Sequence, residues 1–348
     1  MELYGKKITK EEIKKYVGDL SQIADAREGI LCAGRADGVR TIDVKTGSGL
    51  TFCVLPSRGM DIAWTEFKGI PIAYASKTGV SSPAYYEKDG MGFLRNFFCG
   101  LVTTCGLTYF GAVCNDDGDE LGLHGRVSNI PAHDVSVSKE WEGDEYVIHI
   151  RGKVTQSCMF QENIVLTREI TTKMGAKSLH IKDVVENCGC NEQPFMLLYH
   201  CNFGYPVVSE DTVLIEPQPS KVVARDKQGD LSKNAVCQKP THDYAEQVFY
   251  RDIPVLKDNR TYACLFNRKI NIGISLIFNK KQCTHFTHWK MMGEGDYVVG
   301  LEPGTWCPEG RAAARKCGEL EMIQPGERKE FEFEIGILES EDEIEHLL

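Results

Sequence analysis

From about residue 38 onward, apolar residues recur at every second position, the signature of antiparallel strands with one wet face. Tyr146, Ile148 and Ile150 fall on one side of an extended segment, with Val147, His149 and Arg151 on the other. Leu179 and Ile181 alternate with His180 and Lys182. The C-terminal run is the clearest: Phe331, Phe333, Ile335 and Ile337 point one way, and Glu330, Glu332 and Glu334 the other. Glycine-rich turns separate such runs at Gly47-Ser48-Gly49, Asp116-Asp117-Gly118 and Gly293-Glu294-Gly295. Only the start of the chain predicts a clear helix, where Thr9 and Glu12 have capping-box spacing, Ile8 can staple and Gly18 follows as a stop. Many short strands and few helices predict an all-β protein, a large antiparallel sandwich forming one domain. Residues 1–34 read as an N-terminal helical extension, 35–338 as the β-sandwich domain and 339–348 as an acidic C-terminal tail.

Composition narrows the function. With 42% apolar and 26% charged residues the chain is that of an ordinary globular protein. A net charge of −10 argues against nucleic acid and anionic membranes, both of which favour a basic stripe. No apolar run approaches the roughly 18 residues that span a bilayer, and Met1 to Lys7 lacks the apolar core of a signal peptide, so a cytoplasmic location is expected. The fourteen cysteines are scattered, with Cys188-Gly189-Cys190 the only close spacing, which predicts reduced thiols.

Five segments break the strand pattern. Tyr199-His200-Cys201-Asn202-Phe203 places an ionisable residue within an apolar strand, a costly choice without a purpose. If Tyr199, Cys201 and Phe203 pack inward, His200 and Asn202 face outward together. Leu301-Glu302-Pro303-Gly304 fixes a carboxylate on rigid backbone, where desolvation raises its proton affinity toward that of a general base. A hairpin around Gly293 to Asp296 sets Trp289 and Lys290 near the level of Glu302. Arg58 and Asp61 flank a glycine after an apolar strand, where a turn can aim both into a cleft or where the two can tie turns together. Arg95 lies in an apolar stretch and needs a partner, and His124 precedes Gly125, which permits close backbone approach.

Taken in order, the Leu-His124-Gly segment, the strand ending in His200 and Asn202, and Leu-Glu302-Pro resemble the aldose 1-epimerase, or galactose mutarotase-like, superfamily. The similarity runs over roughly residues 35–338 and is strongest to a bacterial branch with a domain of unknown function, to which Arg58–Asp61 and Glu246-Gln247-Val248-Phe249 also correspond. The resemblance implies a β-supersandwich with a sugar cleft on its concave face. It implies His200 as general acid on a pyranose ring oxygen and Glu302 as base on the anomeric hydroxyl. It further implies His124 and Arg95 as substrate contacts, with Glu246 or Asp243 in place of the family's acidic binding residue. Trp289 and Trp306 are candidate stacking platforms. The expected ligand is a small carbohydrate, with no cofactor and no bound metal, and with a homodimer left open. This chain has Leu198-Tyr199 before the catalytic His where typical galactose mutarotases have Thr-Asn, and Arg126 where they have a second Gly. Galactose or glucose specificity therefore does not carry over. Two other functions use the same cleft. One is keto-sugar or sugar-acid epimerisation by enolisation, aided by Lys290 or by a metal on His124, His200 and Glu302. The other is sugar binding without turnover.

Overall fold

The computed structural model describes residues 1–348. Two antiparallel sheets stack face to face. The smaller has eight strands, in the order His133–Glu142, Glu145–Ser157, Asn163–Lys173, Ser178–Asn187, Arg328–Leu338, Ile272–Asn279, Arg260–Asn267 and Thr212–Ile215. The larger has twelve. Its central run is Gln247–Asp252, His285–Gly293, Asp296–Gly304, Gln193–Phe203, Val102–Leu107, Asp61–Phe67 and Leu50–Leu55. Its edges are Lys221–Ala224 on one side and Arg40–Lys45 followed by Asp25–Ile30 on the other. The sheet thus recruits Asp25–Ile30 from the segment read above as an N-terminal extension. The helix Lys10–Tyr16 begins with the Thr9–Glu12 capping box and buries Ile13. At the other end, Ile344 is buried in the short turn Glu341–His346. No helix is long and apolar enough to cross a membrane, and all fourteen cysteines are free thiols.

Alternation along the strands decides what each sheet buries. Ile148, Ile150, Leu179, Ile181, Phe331, Phe333, Ile335 and Ile337 of the smaller sheet join Ile62, Tyr199, Cys201, Phe203, Val299 and Leu301 of the larger in one buried cluster. Because the larger sheet turns those residues inward, His200, Asn202, Gly300 and Glu302 take its outer face. Loops cover part of that face with a second apolar cluster that includes Phe93, Phe97, Cys105, Met196 and Leu198.

One ionic network lies between the sheets. Arg168, fully buried, donates to Asp183 through Nε (2.9 Å) and Nη2 (2.6 Å) and to Asp61 through Nη1 (3.3 Å). Asp183 also accepts from the Tyr199 hydroxyl at 2.8 Å. Asp61 accepts from the Thr104 amide (3.0 Å) and hydroxyl (2.6 Å). Burial pushes Asp61 up to about 6 against the pull of Arg168. Arg58 is equally enclosed, and its guanidinium donates to the carbonyls of Ser128, Ser81 and Asn96 at 2.8, 2.8 and 3.1 Å. The sequence left Arg58 and Asp61 either as sugar contacts in a cleft or as ties between turns. In the structure Asp61 opens a strand on its inward face, Arg58 stitches loops together, and neither reaches the cleft.

Candidate active site

The backbone register brings the two principal residues together. Leu198 pairs with Gly304 and Cys201 with Leu301, so His200 stands across from Glu302 on the neighbouring strand. His200 Nε2 lies 3.4 Å from Glu302 Oε1, with the residues only 4% and 2% exposed. Gly300 makes room for this arrangement. A Cβ there would stand 2.5 Å from Glu302 Oε1 and 3.2 Å from the Trp289 ring. The expected result of Gly300→Ala is a displaced carboxylate and a loss of kcat of about 10²-fold with the fold intact, measured by turnover rate and thermal melting. An unchanged kcat would show that the cradle is not needed.

The remaining wall is aromatic and imidazole. The His124 ring meets His200 edge-on at 5.6 Å and Phe93 at 5.3 Å. His124 adopts a left-handed φ of 59°, anchored by its amide to the Gly111 carbonyl at 3.0 Å. At Gly125 a Cβ would stand 2.4 Å from the carbonyl oxygens of Gly106 and Tyr109, so the close approach expected there is present. Phe97 and Trp289 abut His200 at 5.0 and 5.3 Å. Trp289 Nε1 donates to Glu246 at 2.9 Å, and Glu246 in turn accepts from Arg225 at 3.0 Å. Trp306 packs on the second cluster and against His285 at 4.9 Å, farther along the same face.

Buried polar atoms ordinarily find partners, and leaving one unpaired costs about 1–3 kcal/mol. Here several go without: His124 Nδ1, His200 Nδ1, Asn202 Oδ1, Thr287 Oγ1, Glu302 Oε1 and Trp306 Nε1. These atoms are free to hydrogen-bond to a ligand or to water. Burial holds the Glu302 carboxyl well above its ordinary range; Glu246 adds to this and Arg225 opposes it. Burial, helped by His124, drives His200 well below the usual imidazole range, with Asn202 opposing. His124 is pushed down to about 4 by burial. Both shifts favour the arrangement with Glu302 protonated and His200 neutral, so the pair holds a proton that can pass between its two sites.

The structure thus gathers His124, His200, Asn202, Glu246, Trp289, Trp306 and Glu302 on the outer face of the larger sheet. It does not gather all the expected residues. Lys290 is the clearest departure. Next to Trp289 in sequence, it turns to the opposite face, is fully buried and donates to the Lys233 carbonyl at 2.8 Å. The hairpin sets Trp289 against Gly300 and Lys290 against Val299, while Thr287 stands against Glu302. Arg95 is exposed and paired with Glu87 at 2.8 Å, and Asp243 is exposed beside His242. Gly300, Arg225, Thr287 and Phe97 were not anticipated. Of these only Gly300 carried a signal, since a glycine inside a strand marks close approach. The one three-residue cluster with metal-ligand spacing is Glu140, Glu142 and His149, on the smaller sheet and away from this site.

Residues 36–337 match the family described as Domain of unknown function (DUF4432), and the chain belongs to that family. No curated protein matches it. Among solved structures, a provisionally assigned aldose 1-epimerase from Klebsiella pneumoniae aligns with a TM-score of 0.85 and 26% identity, covering 92% of this chain and 85% of its own. A galactose mutarotase-like protein from Clostridium acetobutylicum aligns at 0.63 and 14% identity, covering 91% and 99%. Galactose 1-epimerase from Lactobacillus acidophilus aligns at 0.57 and 12% identity, also covering 91% and 99%. The fold is the galactose mutarotase-like β-supersandwich.

Proposed function

We propose that this protein is an aldose 1-epimerase that interconverts the anomers of a pyranose sugar. The observation that carries the reading is the buried His200–Glu302 pair, 3.4 Å apart, among unpartnered polar atoms. The aldose 1-epimerase assignments of aligned proteins support it. Glu302 first passes its proton to His200 across the 3.4 Å gap, then takes the proton from the anomeric hydroxyl as His200 delivers one to the ring oxygen. The C1–O5 bond breaks and the open-chain aldehyde forms. Rotation about C1–C2 and the reverse transfers close the other anomer. The sugar leaves unchanged in composition, and the pair recovers its proton. Trp289 supplies an apolar surface for one sugar face, while His124 and Asn202 offer the unused polar atoms described above to hydroxyl groups. Saturation-transfer NMR across a panel of aldoses tests the reading, with acceleration over the uncatalysed rate expected for at least one aldose. No acceleration for any of them would overturn it.

The pH profile follows from the same pair. Adding a second proton stops catalysis, and because His200 is held below its ordinary 6.5 the acid limb lies below that value. Removing the last proton also stops it, and because Glu302 is raised above its ordinary 4.5 the alkaline limb is displaced upward from there. Initial rates measured from about pH 4 to about pH 9 should place the acid limb below the ordinary imidazole value and the alkaline limb above the ordinary carboxyl value. A limb centred on the ordinary imidazole value would contradict this protonation scheme.

A further inference from the structure

A second groove lies on the outer face of the same sheet, two strands from the His200–Glu302 pair. Its volume is about 420 Å³, and Trp64, Asp43, Glu66 and Thr51 are among the residues that line it. A β-bulge creates its most distinctive feature. Phe52 pairs with Thr65 but Val54 pairs with Ile62, so Cys53 faces both Ala63 and Trp64. The extra residue re-aims the chain, and Trp64 turns out of the sheet. It is 44% exposed and the only one of the four tryptophans to stand among the exposed large side chains.

The polar lining is unevenly satisfied. Arg27 is engaged by Asp25 at 2.6 Å and Lys45 by the Gln22 carbonyl at 3.1 Å. Asp43 and Glu66 have no cationic partner among the ion pairs of the chain, and each stands in a cross-strand row beside the indole. An aromatic face flanked by carboxylates without cationic partners suits a ring with an apolar face and hydroxyl donors at its rim. It repels anions.

Packed side chains link the groove to the candidate active site. Trp64 shares a small apolar cavity of about 60 Å³ with Tyr74 and Phe98. Tyr74 packs against the cluster containing Phe97, whose ring abuts His200. Ile62 pairs with Val102 and Val102 with Cys201. By strand spacing and rise, Trp64 therefore lies roughly 14 Å from His200, about the length of three linked sugar rings.

We propose that the Trp64 groove is a second saccharide subsite, which binds a neutral sugar ring of an oligosaccharide whose reducing end lies between His200 and Glu302. The second half of this statement rests on the epimerase reading; the groove's affinity for sugar does not. The test has two arms on the full chain. In the first, the Trp64 indole N–H, identified by its loss in Trp64→Phe, is followed by NMR during titration with glucose, maltose, maltotriose and their methyl glycosides. The resonance should shift with the neutral saccharides and not with glucuronate. No shift with any saccharide, or a stronger response to tetramethylammonium than to sugar, would overturn the subsite. In the second, anomerisation of mono- and oligosaccharides is compared in wild type and Trp64→Ala. The variant should lose about fivefold or more in kcat/KM on the longer sugars and almost nothing on monosaccharides. Equal losses on both, or conversion of an oligomer to a monomer, would overturn it. If no sugar is anomerised by the wild type, the epimerase reading fails, and the indole titration still decides the subsite.

Discussion

Replacing Glu302 with Gln is expected to lower kcat for anomerisation by roughly 10²–10⁴-fold, the usual worth of a positioned general base. The substitution keeps the size of the side chain and its place against Gly300, and it removes only the ability to gain and lose a proton. His200 then has no partner to exchange with across the 3.4 Å gap. Stability should move the other way. Glu302 is held protonated in the fold above its ordinary 4.5. As pH rises past that value the unfolded chain loses its proton first, so the cost to the native state grows until pH passes the raised native value and stays at its full size above it. Gln removes the cost, and the variant's gain in melting temperature should be larger at about pH 8 than at about pH 5. Saturation-transfer rates and parallel melts measure both. A folded Glu302→Gln protein with wild-type rates would sink the role assigned to Glu302.

The largest stability effect is expected at Arg168. Arg168→Met leaves Asp183 and Asp61 as uncompensated carboxylates between the two sheets, and removing one partner of a buried ionic set costs about 3–5 kcal/mol. The loss should appear as a lower urea midpoint. Much of it should return when Asp183→Asn and Asp61→Asn are added, since the damage lies in the stranded charges rather than in the missing guanidinium. A single variant within about 1 kcal/mol of wild type would show that the network is dispensable. Because Tyr199 donates to Asp183 and precedes His200, the single variant should also lower catalysis.

Much of the site was legible before the fold was known, because strand alternation is a local property. It put His200 and Asn202 on one face opposite Tyr199, Cys201 and Phe203, and the glycine-rich turn joined the strands carrying Trp289 and Glu302. The same rule turns Trp289 and Lys290 to opposite faces, so only Trp289 shares the face of Glu302. Arg58 and Asp61 were harder. An Arg and an Asp around a turn look alike in sequence whether they reach into a cleft or bury themselves. Only the carbonyls of Ser81, Asn96 and Ser128, and Arg168 on the other sheet, decide that they point inward.

By itself the sequence determined the strand periods, the capped first helix, the hairpin before Glu302 and the outward pairing of His200 with Asn202. These depend on residues close along the chain, where sterics and alternation act directly. The tertiary structure decided which face of the larger sheet is closed by the smaller one and which is left for a ligand. It brought His124 and Glu246 to His200 and Glu302 from loops far away in sequence, and made Gly300 the space in which the carboxylate sits. Those outcomes arise from contacts between distant segments, and burial, which sets the proton affinities of the pair, exists only once those segments have met.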